Sequence, residues 1–185
     1  MFVDCVWTAT TTLVRRDRAA RKLYEVEQNI ICKRGLNLIK KVLVAVDGSE
    51  NSFRALRFAL DLAEKYAASV LIVNILQFPA IYTNPNDKLV YSGSWAAFIK
   101  DLQRIHEETL AKAADEARRL KPSVEVAAEL KEGEPAAQIV ETAKRGGFDV
   151  IVVGHRGLGR LSEVLLGGVS ERVAHLAKCA VVIVK

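Results

Sequence analysis

The run Val150-Ile151-Val152-Val153-Gly154-His155-Arg156-Gly157, with Gly167-Gly168-Val169-Ser170 following after nine more residues, constrains this chain more than any other feature. Four consecutive β-branched residues read as a buried strand, and the glycines after them read as a turn at its carboxyl end. Glycine lacks a Cβ, so a backbone N–H can approach an anion closely there. A helix starting at the second glycine pair would aim its unpaired N–H groups at the same point. A strand, a glycine turn and a helix start in that order make a phosphate-binding arrangement.

The rest of the pattern fits such a unit. Val42 to Val46 is a continuous apolar, valine-rich run stopped by Asp47-Gly48-Ser49-Glu50, and Phe53, Leu56, Ala59, Leu60 and Ala63 then fall at helical spacing. Val70 to Leu76 reads as a second strand, and Gln77 to Ser94 as a surface excursion rich in turn residues. A long helix is expected from about Trp95 to Leu120, ended by Lys121-Pro122. Val124 to Leu130 alternates like an outer strand, and Gly133-Glu134-Pro135 opens a helix that runs to Gly146-Gly147. Leu158 to Leu166 holds a short helical turn, Val169 to Ala177 reads as the last helix and Ala180 to Val184 as the last strand. Strands alternating with helices imply right-handed crossovers and an open five-stranded parallel sheet, helices on both faces, in a Rossmann-like α/β fold. Ligands of such sheets bind beyond the carboxyl ends of the strands, where the strand order switches.

Two well-known phosphate motifs fail on these residues. Gly154 to Leu161 has P-loop glycine spacing, but Arg160 stands where lysine is needed and Leu161 where a magnesium-binding hydroxyl is needed. A dinucleotide fingerprint would need a third glycine or alanine where Ser162 stands, and it belongs in the first βα unit, not the last. A third pattern fits: glycine, two residues, glycine, nine residues, glycine. It resembles the nucleotide-binding signature of the universal stress protein family, whose ATP-binding members carry this loop after the fourth strand of an adenine nucleotide alpha hydrolase-like sheet. Ile39 to Glu50 is similar to that family's first strand and acidic turn, and Gly133-Glu134-Pro135-Ala136 to its entry into the third helix. The resemblance covers residues 39–185, leaving residues 1–38 as a weakly structured N-terminal extension or the product of a start codon assigned too early.

The resemblance implies a set of nucleotide-binding residues. Val153, Gly154, His155, Arg156 and Gly157, with Gly167, Gly168, Val169 and Ser170, would surround the phosphates; Asp47 would accept from a ribose hydroxyl; Ala45 and Ile75 would flank the base. The family signature has serine or threonine where Gly168 stands, so one hydroxyl contact is missing, and Ser170 is the nearest replacement. Each residue also has a structural reading: Asp47 as a turn former with Gly48, the glycines as turn and helix-start residues, Ala45 and Ile75 as core. The implied ligand is ATP, or ADP or AMP, with magnesium. The implied role is a regulatory or signalling module acting as a homodimer paired through the exposed last strand, with a downstream protein partner.

Composition narrows the alternatives. The chain has 185 residues, half of them apolar, enough for one well-buried domain and an appendage. Residues 1–38 carry seven Lys/Arg and four Asp/Glu, leaving 20 and 18 for the remainder, so the net charge of +5 sits largely in the extension. A near-balanced domain argues against a nucleic-acid surface. No apolar run reaches the ~18–20 residues that cross a bilayer, so no membrane role is expected. Cys5, Cys32 and Cys179 are too scattered for a disulfide framework or a metal site, which suits a reducing cytoplasm. His106 and His175 read as structural or surface residues, and no spacing links His155 to a carboxylate or nucleophile. Two alternatives stay open: a slow ATP hydrolase or nucleotidyl-handling enzyme, disfavoured by the lack of a lysine for the β/γ-phosphates, and a nucleotide-free interaction module.

Overall fold

The β-branched runs pair as strands of one parallel sheet. The computed structural model describes residues 39–78, 93–156 and 167–185. The extension 1–38, most of the excursion at 79–92, and Gly157 with the expected turn at 158–166 lie outside the described residues. The strands are β1 (Lys41–Ala45), β2 (Ser69–Leu76), β3 (Val126–Glu132), β4 (Val150–Gly154) and β5 (Ala180–Val184). They run in the order β3-β2-β1-β4-β5 with every neighbouring pair parallel. Between them come α1 (Glu50–Tyr66), α2 (Gly93–Leu120), α3 (Pro135–Gly146) and α4 (Gly168–Leu176).

The two-residue period of the strands divides the core between the faces. Val42, Val44, Ile72 and Val152 point to one face, where Phe53, Leu56 and Leu60 of α1 and Ala113 and Ala117 of α2 cover them. Leu43, Val73, Ile151 and Val153 point to the other, under Ala136 and Ile139 of α3 and Val173 of α4. Val42, Leu43 and Val44 are therefore fully buried, as a central strand walled on both sides requires.

Local chemistry sets the helix ends. Ser49 caps α1 by accepting from the Ser52 N–H, and the helix stops at Ala67, whose φ of 53° is left-handed. Glu134 caps α3 by accepting from the N–H groups of Ala136 and Ala137, with Pro135 in the first turn, and Gly147 ends the helix at φ 62°.

Most boundaries expected from the sequence lie within a residue or two of those found. The third strand is displaced: it spans Val126–Glu132 instead of Val124 to Leu130. Val124 still belongs to the turn leaving α2, its N–H donating to Lys121 O, and the ladder continues through Leu76↔Glu132. On an edge strand, Lys131 and Glu132 extend the ladder while their charges stay in water, so apolar alternation alone stopped short.

Candidate functional site

From β1 the chain steps outward to β2 and β3, then returns to place β4 and β5 on the other side of β1. The switch in strand order thus falls between β1 and β4, and the crevice lies beyond their carboxyl ends. Ala45, at the end of β1, and Ile75, near the end of β2, are half-buried on the face covered by α3 and α4, and Val153 is buried on the same face of β4. Three residues that look like ordinary core in the sequence therefore share one face of the sheet at the ends of their strands.

Beyond β4 the chain is braced from several directions. The His155 N–H donates to Val184 O at 2.7 Å, at the end of β5, and His155 O accepts from the Gly167 N–H at 2.8 Å. Ser170, 3 % exposed, has its Oγ 3.0 Å from His155 O and 2.8 Å from Gly167 O, so its hydroxyl turns back onto the chain. It holds the loop to the helix start. Gly154 lies against the start of α1, where a Cβ would stand 2.9 Å from the carbonyl carbon of Asn51. No described residue lies within 4 Å of a Cβ added at Gly168, and Val169 beside it is exposed.

The start of α4 differs from those of α1 and α3. Its N-cap is Gly167, which offers no side chain, so among the described residues the first three N–H groups, those of Gly168, Val169 and Ser170, have no side-chain cap. The aligned peptide dipoles place partial positive charge there. Beside this opening Nδ1 of His155 is buried and has no hydrogen-bond partner among the described residues, an expensive condition for a polar atom. Arg156 is half-buried at the same loop, its carbonyl 3.5 Å from Ser49 Oγ.

On the other side of the crevice, Asp47 is exposed and its Oδ1 accepts from the Ser49 N–H at 3.0 Å, with Gly48 at φ 89° completing the turn. One oxygen thus does the turn-forming work expected of it. Sequence reasoning missed Asn74, a buried residue of β2 whose Nδ2 donates to Val46 O at 2.7 Å and whose Oδ1 lies 2.5 Å from Nδ1 of His106. The signal was present, because Asn74 is the single polar residue within the apolar run Val70 to Leu76. Burial holds the His106 imidazole below its ordinary range, so it is neutral near pH 7. His175 is exposed on α4, and burial pushes the thiol of Cys179 upward, away from the reactive thiolate.

Comparison with known proteins agrees with this architecture. The sequence profile of the Universal stress protein family matches residues 38–185. A universal stress protein of Methanocaldococcus jannaschii is 34% identical over 157 residues, covering 85% of this chain and 88% of that protein. One from Bacillus subtilis is 34% identical over 150 residues, 80% of this chain and 100% of its own length. Among solved structures, a universal stress protein in complex with cAMP is 27% identical, with a TM-score of 0.55 over 79% of this chain and 96% of that one. With its profile match, its relatives and the same five-stranded parallel sheet, the chain belongs to the universal stress protein family.

Proposed function

We propose that this protein binds an adenine nucleotide, ATP in particular, in the crevice between the ends of β1 and β4, and acts as a nucleotide-dependent regulatory or signalling module. The observation that carries the reading is the open start of α4. Of the three helices whose N-caps are described, α1 is closed by Ser49 and α3 by Glu134, whereas the first N–H groups of α4 have no side-chain cap among the described residues. An anion at that point satisfies them and offsets the helix dipole at once. Among the described residues Gly168 and Val169 leave room for it, and the buried Nδ1 of His155 belongs to the residue whose carbonyl accepts from the Gly167 N–H.

The remaining groups suit the rest of a nucleotide. Asp47 has a carboxylate just beyond the end of β1 that can accept from a ribose hydroxyl, and the half-buried Ala45 and Ile75 offer apolar surface to the base. A structural relative solved with cAMP supports an adenine ligand. No group of three metal-ligating side chains occurs among the described residues, so magnesium would arrive bound to the phosphates of ATP instead of in a protein cage.

The same reading includes a homodimer paired through β5. Edge strand β3 carries Glu129, Lys131 and Glu132, charges that deter pairing, while edge strand β5 is the uncharged run Ala-Val-Val-Ile-Val. Cys179, a free and partly buried thiol, suits a reducing cytoplasm.

Calorimetric titration tests the ligand. Saturable heat is expected with magnesium-ATP, with AMP and cAMP titrated in parallel to rank the phosphate forms. Heats no larger than buffer dilution for all three nucleotides would remove the reading.

A further inference from the structure

A buried asparagine in a parallel strand must satisfy both ends of its amide or weaken the core. Asn74, 1 % exposed, does so by linking two elements at the mouth of the crevice. Its Nδ2 lies 2.7 Å from Val46 O, and since a carbonyl only accepts, the amide orientation is fixed with nitrogen toward β1. Oδ1 therefore faces His106 on α2, and the hydrogen between them sits on Nδ1 of the imidazole.

The peptide held in this way is the one that precedes Asp47. Val46 N–H donates to Val73 O at 2.9 Å while Val46 O accepts from Asn74, so both of its backbone groups are anchored to β2. Helix α2 makes a second approach to the same turn, because the Thr109 side chain lies 3.4 Å from where a Cβ on Gly48 would stand. Asp47 itself is exposed and, among the described residues, its side chain is tied locally, to the Ser49 N–H. Without the Asn74 link, the turn would keep its local bond but lose its bond to β2 through Val46 O.

We propose that Asn74 and His106 are positioning residues for Asp47: the His106–Asn74–Val46 chain fixes the peptide before Asp47, so that its carboxylate meets the ribose hydroxyls of the nucleotide. The inference rests on the adenine-nucleotide reading above. Neither side chain touches the ligand; each acts through the backbone of β1. The bland account, in which Asn74 only fills its own hydrogen-bonding needs, predicts a loss of stability and nothing about ligand choice.

Ligand choice is therefore what the experiment reads. ATP and 2′,3′-dideoxy-ATP, which has no hydroxyl for Asp47, are titrated against the full chain and against His106→Ala, His106→Gln and Asp47→Ala. The wild-type chain is expected to prefer ATP, and His106→Ala to reduce that preference about three- to tenfold, the worth of one hydrogen bond. His106→Gln keeps an N–H donor and should restore much of the preference. In Asp47→Ala, adding His106→Ala should change the preference no further. A His106→Ala chain that folds and keeps the full preference would overturn the proposal, as would an equal fall with Asp47 already removed. A wild-type chain that binds both nucleotides equally would overturn it while leaving the adenine reading intact, and one that binds neither would remove both.

Discussion

A methyl group at Gly154 would stand 2.9 Å from the Asn51 carbonyl carbon, and one at Gly167 would stand 3.1 Å from His155 O. Both glycines are therefore fixed by the approach of the protein's own backbone, before any ligand is considered. A Cβ at Gly167 would push against the loop itself. Ser170 is equally committed, its hydroxyl spent on His155 O and Gly167 O, so Ser170→Ala acts through loop order. Gly168 is different, since no described residue lies within 4 Å of an added Cβ. Gly168→Ser should fold with unchanged stability and supply the hydroxyl that the family signature carries there, tightening magnesium-ATP by about 0.5–1.5 kcal/mol in calorimetric titration. Unchanged affinity in the folded variant would mean that the phosphates do not reach this helix start.

Among the elements, α1 ends in a way its sequence does not favour. The C-terminal left-handed position belongs to Ala67, the one described non-glycine residue at positive φ, whereas α3 ends on Gly147. An L-residue there carries about 1–2 kcal/mol of strain, and glycine gives back part of the gain by adding about 0.4–1 kcal/mol of unfolded-state freedom. Ala67→Gly is thus expected to stabilise the protein by roughly 0.5–1 kcal/mol, read as a rise in the urea midpoint without change in slope. A fall in the midpoint would show that the Ala67 methyl group contributes more than its backbone costs. Among the described residues element type was legible because strand runs were short and helix runs long and periodic. The ends of β3 were not legible, because ladder pairing with β2, and not side-chain polarity, decides where an edge strand stops.

For the whole molecule, the family match and every candidate site residue lie at or after Leu38. A chain shortened to begin there should melt in one cooperative step, bind magnesium-ATP as the full chain does, and elute at the mass of a dimer in light scattering. Aggregation would assign the extension to the fold, despite its Leu23, Val26, Ile30 and Ile31 being only partly at helical spacing. A monomeric mass for both chains would remove the β5 edge as a pairing surface.

The sequence by itself determined the α/β class, the parallel sheet and the end of β4 as the place to look, because hydrophobic period and glycine spacing are local properties written in consecutive residues. Only the tertiary structure decided which groups at that place are free. Ser170 looks like an available hydroxyl in the sequence, yet it is bonded to a carbonyl fifteen residues away. Asn74 and His106 lie 32 positions apart and meet only because β2 and α2 pack together. Whether a polar side chain serves a ligand or the fold depends on which partners packing brings within hydrogen-bond reach, and those partners come from elements distant in sequence.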